Sequence, residues 1–176
     1  MLGVDVNALS LTPTLRADPE VGEVWVEVDL VDIGDRAALT TQRLRKMASP
    51  LDFRYSYSVP IAPGSAEQAT LRRVMDSTDE QESDVYFELK TSGRSGKGDV
   101  QIGQGFLNLK QLLSQGRDFA SVPVQLQGRK GVRGLAGASQ AGFLKLRVPA
   151  ARVGGAHLAH HASFARQGGQ RSEVEL

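Results

Sequence analysis

With 176 residues, 40% of them hydrophobic and 23% charged, the chain is long enough for one domain with a core that needs no staples. Its 21 basic and 20 acidic side chains leave a net charge of +1, without the basic excess of nucleic-acid-binding domains. There is no cysteine, which excludes disulfide frameworks, thiolate metal sites and cysteine nucleophiles, and suits a reducing compartment such as the cytoplasm.

The N-terminal MLGVDV lacks the charged start and apolar stretch of a signal peptide, and no apolar run approaches the ~20 residues of a membrane span. Val4 and Val6 open a first strand predicted to run to Leu11. Val24, Val26, Val28 and Leu30 then alternate with Trp25, Glu27 and Asp29, a period of two that sends one set inward and the other outward. A weaker strand is predicted over Leu39 to Arg45, where Thr40 and Thr41 precede Leu44. Phe53, Tyr55, Tyr57 and Val59 alternate with Arg54, Ser56 and Ser58 in a clearer one.

Ser65 to Asp76 reads as a helix, with Ser65 as its cap, Gln68 as the capping-box partner, and Leu71, Val74 and Met75 as the buried stripe. Val85, Phe87 and Leu89 give another strand face. Val100 and Ile102 start a strand continuing through Phe106 to Leu109, with Gly103 and Gly105 suggesting a bulge. Leu109, Leu112 and Leu113 suggest one helical turn ending at Gly116. Val122, Val124 and Leu126 form the next strand. Leu144, Leu146 and Val148, alternating with Phe143, Lys145 and Arg147, form the last. The connections carry Asp18-Pro19, Ser49-Pro50, Pro63-Gly64 and the Gly93 to Gly98 stretch. The expected fold is all-β: an eight-stranded antiparallel β-sandwich with one short helix insert, spanning 1–153. Residues 154–176, rich in Gly, Ala and His, read as a disordered or partly helical tail.

No catalytic set emerges. His157, His160 and His161 all fall in the tail, so the folded part offers no Ser-His-Asp arrangement. His157 and His161 are four apart, as two ligands on one helix face would be, but the intervening Glu and a third ligand are missing. The acidic cluster Asp76, Asp79, Glu80, Glu82 and Asp84 lacks the ligand spacing and glycine of a calcium-binding helix–loop–helix, and reads as a solvated loop. The Lys90 to Lys97 segment contains Gly-Lys, but Gly98 stands where a phosphate loop needs a hydroxyl, and the segment leads into a strand. No metal or cofactor is expected.

The cations that could meet an anionic partner or a lipid headgroup are Lys90, Arg94 and Lys97 in one loop region and Arg129, Lys130 and Arg133 in another. Arg43, Arg45 and Lys46 make a third basic run. Three lysines or arginines on a loop give only weak membrane attraction, at about 1 kcal/mol each. Trp25 is a candidate interface aromatic; the competing reading packs it under a loop or in a strand covered on both faces.

Several stretches, taken in order, resemble the C-terminal C2 domain of the retinitis pigmentosa GTPase regulator-interacting protein family. They are VWVEVDLVDIGD at Val24 to Asp35, Leu44-Arg45-Lys46 ahead of FRYSYSVPI, the Leu71-Arg72-Arg73 to Asp76 helix, GFLNLKQLLSQGRDF at Gly105 to Phe119, and GFLKLRV at Gly142 to Val148. The resemblance covers about residues 3 to 153. It implies a C2-type sandwich in a cytoplasmic scaffold at the ciliary base: basal body, transition zone or cilium. It also implies a protein partner such as a propeller-type GTPase regulator. Calcium-binding C2 domains carry several aspartates in the loops at one end; here the Ser10 to Glu23 loop offers one, Asp18, and the Lys90 to Gly98 loop none. Calcium needs six to eight oxygens, so calcium independence is expected.

Three functions follow for comparison. The leading one is a non-catalytic protein-interaction module of such a scaffold. The alternative is a calcium-independent phospholipid-binding C2 domain, with the basic loops on an anionic membrane. An enzyme would need a polar cluster in a pocket, and no residue set marks one.

Overall fold

The computed structural model describes residues 1–47, 50–92, 98–114, 119–126 and 139–147, with side chains as far as 114. Two antiparallel sheets face each other. One has the strand order β4-β1-β8-β7, the other β3-β2-β5-β6. The strands are β1 (Leu2–Leu9), β2 (Glu23–Asp29), β3 (Leu44–Arg45), β4 (Leu51–Val59), β5 (Asp84–Ser92), β6 (Asp99–Asn108), β7 (Phe119–Leu126) and β8 (Ser139–Arg147). For β7 and β8 the backbone alone is described. The expected all-β class, with antiparallel pairing, holds.

The alternation read from the sequence becomes the core. Leu2, Val4 and Val6 of β1 stand opposite Val59, Tyr57 and Tyr55 of β4. Val24, Val26 and Val28 of β2 stand opposite Thr91, Leu89 and Phe87 of β5. Phe53 from one sheet and Phe87 from the other are both fully buried. Each such ring removes a large apolar area from water, the main driving force for closing the two sheets on each other.

Three elements depart from the expectation. First, β1 stops at Leu9, not Leu11, and a short helix α1 (Pro13–Ala17) follows. Thr12 caps it, its Oγ1 accepting from Leu15 N at 3.3 Å, and Pro13 sits at the first helical position, where its missing N–H costs nothing. Leu15 is the helix's buried anchor. Second, the strand over Leu39 to Arg45 breaks in two: an isolated bridge joins Thr40 to Glu27, and β3 holds only Leu44 and Arg45. The cause is local. Val28 N donates to Leu39 O and Thr41 N donates to Val26 O, but Val26 N is taken by the Thr41 hydroxyl at 3.0 Å in place of a backbone carbonyl. Third, Glu80–Ser83 forms a 3-10 turn where a plain solvated loop was expected.

The helix insert matches its prediction. Helix α2 (Ala66–Asp76) is capped by Ser65, whose Oγ accepts from Gln68 N at 3.2 Å. The Gln68 side chain reaches back one residue further than a capping box, accepting from Gly64 N at 2.8 Å. Of the predicted stripe, Val74 is buried, while Leu71 and Met75 lie half-covered against the core. The Leu109 turn is a short helix, α3 (Leu109–Ser114), and Leu109 is fully buried. The bulge predicted for β6 is present, as a register shift opposite Leu89 and Lys90.

Candidate functional site: the outer face of the β3-β2-β5-β6 sheet

The inward residues of β2 and β5 fill the core, so their alternates form one outer face. Its rows follow the register. Asp29, Tyr86 and Phe106 stand side by side across β2, β5 and β6; Glu27, Glu88 and Gln104 make the next row; Trp25, Lys90 and Gln101 the next.

Trp25 is only 1% exposed. The expectation that it marks an interface is therefore corrected: the chain itself covers the ring. The Arg43 guanidinium lies 3.8 Å from the ring centroid and donates to Asp99 Oδ2 at 2.9 Å, spanning the sheet face. The indole Nε1 donates to Glu27 Oε1 at 3.1 Å. A cation over an indole face, held by a carboxylate, is a stable lid.

Lys90 is 23% exposed and is likewise committed. Its ammonium donates to Glu27 and lies 3.3 Å from Glu88, the two carboxylates that face each other across β2 and β5. Burial opposes the charge on Lys90, but these two partners outweigh it and hold its pKa above the ordinary value. Burial also pushes Glu27 upward, yet its bonds from Lys90 and Trp25 prevail and leave its pKa lowered. Lys90 is thus the counter-ion of two glutamates, not a headgroup contact held ready. The other predicted cations, Arg94, Lys97, Arg129, Lys130 and Arg133, lie outside the described residues, as do His157, His160, His161 and the 154–176 tail. Of the third basic run, Arg43 covers Trp25, and Lys46 donates to the Asp18 carbonyl.

The acidic cluster is dispersed into structural tasks. Asp79 caps the 3-10 turn, its Oδ1 accepting from Gln81 N at 2.9 Å. Glu82 pairs with Arg73 at 3.4 Å. Asp84 accepts from Asn108 Nδ2 at 2.8 Å, and the same amide reaches Ser83 Oγ and Glu80 O. Among the described residues no group of three or more His, Asp or Glu could hold a metal ion.

What sequence reasoning passed over is the top row. Tyr86 and Phe106 are direct cross-strand partners, 39% and 57% exposed, with ring centroids 6.1 Å apart and planes inclined at 47°. The signal was available: Tyr86 sits between inward-facing Val85 and Phe87 and so must point outward. Partial burial, then the charges of Asp84, Asp79 and Asp29, raise the pKa of Tyr86, which registers the negative potential around the pair.

No family model matches the chain, and no curated protein matches it. Solved structures do. The structure described as "CC2D1B coordinates ESRCT-III activity during the mitotic reformation of the nuclear envelope" superposes with a TM-score of 0.56 at 19% identity, covering 84% of this chain and 54% of that one. This chain therefore spans about half the length of that protein. A C2 domain-containing protein from a putative elicitor-responsive gene superposes with a TM-score of 0.53 at 9% identity, covering 88% of this chain and 92% of that one. Identities this low speak for the fold alone, and that fold is the C2-type β-sandwich.

Proposed function

We propose that this C2-type domain is a non-catalytic protein-interaction module that works without calcium, in a cytoplasmic scaffold at the ciliary base. The observation that carries the interaction reading is the outer sheet face. It displays a pair of aromatic rings to solvent, while Lys90 and Arg43 are held in internal pairs. Exposed aromatics on a rigid sheet are what protein partners use as anchors. The ciliary placement and a propeller-type GTPase regulator as partner rest on the ordered sequence resemblance of residues 3 to 153 to the GTPase regulator-interacting C2 domains. Calcium independence rests on the loop composition, with Asp18 the one aspartate between Ser10 and Glu23 and its Oδ1 accepting from Glu20 N at 2.9 Å.

Three measurements test this reading. The tagged chain expressed in ciliated cells is expected at the ciliary base. A recombinant propeller-type regulator is expected to bind it in a calorimetric titration with the same Kd in EDTA and in excess calcium. Co-sedimentation with phosphatidylserine vesicles is expected to be weak. Strong, salt-sensitive pelleting with those vesicles, together with no binding to the regulator, would replace the protein-interaction reading with the phospholipid one.

A further inference from the structure

The same sheet face contains one aromatic–carboxylate cradle that is filled and a second built from like parts. In the filled one, Arg43 lies over Trp25 and is held by Asp99. The second, two rows along, consists of Tyr86 and Phe106 with Asp29 on the cross-strand position beside Tyr86 and Glu88 next on the same strand face. Among the described residues, no basic side chain pairs with Asp29, Asp79 or Asp84, and Lys90, two rows along, is shared by Glu27 and Glu88. The area is thus apolar at its centre and net negative around it.

We infer that the Tyr86–Phe106 row is a docking site for an arginine-bearing segment of a partner protein, whose guanidinium takes over these rings the place that Arg43 takes over Trp25. Charge complementarity selects the occupant. Arginine suits it better than lysine because its planar guanidinium stacks on a ring and bonds a carboxylate with the same group. An anionic membrane is disfavoured, because phosphate headgroups would face Asp29, Asp79 and Glu88. An apolar neighbour on the segment would cover Phe106, the more exposed ring of the pair. This deepens the interaction-module reading and rests on it.

The test uses the full chain, labelled with 15N, titrated with two synthetic peptides: Gly-Arg-Leu-Arg-Leu-Arg-Gly and its counterpart with Glu in place of each Arg. The arginine peptide is expected to give saturable shifts centred on Tyr86, Glu88 and Phe106, and the glutamate peptide none. Phe106→Ser and Glu88→Lys are each expected to weaken binding about tenfold or more, as loss of an interface anchor does. Phe106→Tyr should retain it, with the rest of the spectrum unchanged in both Phe106 variants. Equal binding of both peptides, shifts centred elsewhere, or no saturation with the arginine peptide would overturn the inference. A parallel titration with the propeller-type regulator separates the two readings. Binding that is equal for the wild type and for Phe106→Ser overturns this site while leaving the interaction module intact.

Discussion

Lys90 shows how a single side chain can hold together a sheet face. Glu27 and Glu88 are direct cross-strand partners, a placement that repels unless a cation intervenes. Lys90→Met, which keeps the apolar stem, is expected to cost about 0.5–1 kcal/mol at neutral pH by urea titration, since the site is part-exposed and screened. The pH dependence has a definite sign. Glu27 has a lowered folded-state pKa, so its contribution is present above the ordinary value of 4.5 and is lost as pH falls below it. The gap between wild type and Lys90→Met should therefore close in acid.

Tyr55 gives the opposite limb. Burial, then Tyr57, raises its pKa from 10.0 to about 12, and its hydroxyl donates to the Ala38 carbonyl. The folded state keeps this proton after the unfolded chain has lost it. Stability from Tyr55 is thus complete below pH 10 and falls away between there and about pH 12. Absorbance titration at alkaline pH should show a late-ionising tyrosine that Tyr55→Phe removes.

At the level of elements, the segment after β2 is held by its neighbours and not by its own preference. Leu30 O accepts from Ile33 N at 2.9 Å, across a turn whose central residues, Val31 and Asp32, have φ of 48° and 61°. A β-branched residue in the left-handed region is strained. The turn persists because Leu30, Val31 and Ile33 are all buried and Asp29 Oδ1 accepts from Asp32 N. Gly34 follows at φ 96°, and Asp35 N donates to Tyr57 Oη at 3.0 Å. A Cβ at Gly34 would stand 2.9 Å from that oxygen and 3.1 Å from Val59. Gly34→Ala is therefore expected to lose about 1–2 kcal/mol from the backbone conformation alone, with more from the displaced Tyr57. Helix α2 offers a milder control: Ser65→Ala should cost about 1 kcal/mol by removing the bond to Gln68 N. Denaturant midpoints measure both.

For the whole molecule, the two sheets share one core. Phe53 belongs to β4 in one sheet and Phe87 to β5 in the other, and both are fully buried. If the sandwich unfolds as a unit, Phe53→Ala and Phe87→Ala should each lower stability by about 3–5 kcal/mol in a single transition seen alike by fluorescence and circular dichroism. Phe106→Ser, on the outer face, should stay within about 1 kcal/mol of the wild type. Separate transitions for the two sheets would refute the common core.

Period-two alternation was enough to read the inward faces of β1, β2, β4 and β5, because a strand covered on one side must put its apolar residues at every second position. The helix over Ala66–Asp76 was legible for a similar reason: Ser65 satisfies its orphan N–H groups within the span of a few residues. The Thr12-Pro13 helix start and the outward parity of Tyr86 were present as signals too, but the strand reading to Leu11 and the attention to inward residues passed over them. Contacts between distant residues were decided only when the chain closed. Arg43 could not be placed over Trp25, nor Lys90 between two glutamates, until β2, β5 and the β3 segment lay side by side. The split of the Leu39 to Arg45 strand likewise depended on Thr41 meeting Val26 N. Such pairings are set by register and distance across the sheet, quantities that no local pattern of residues contains.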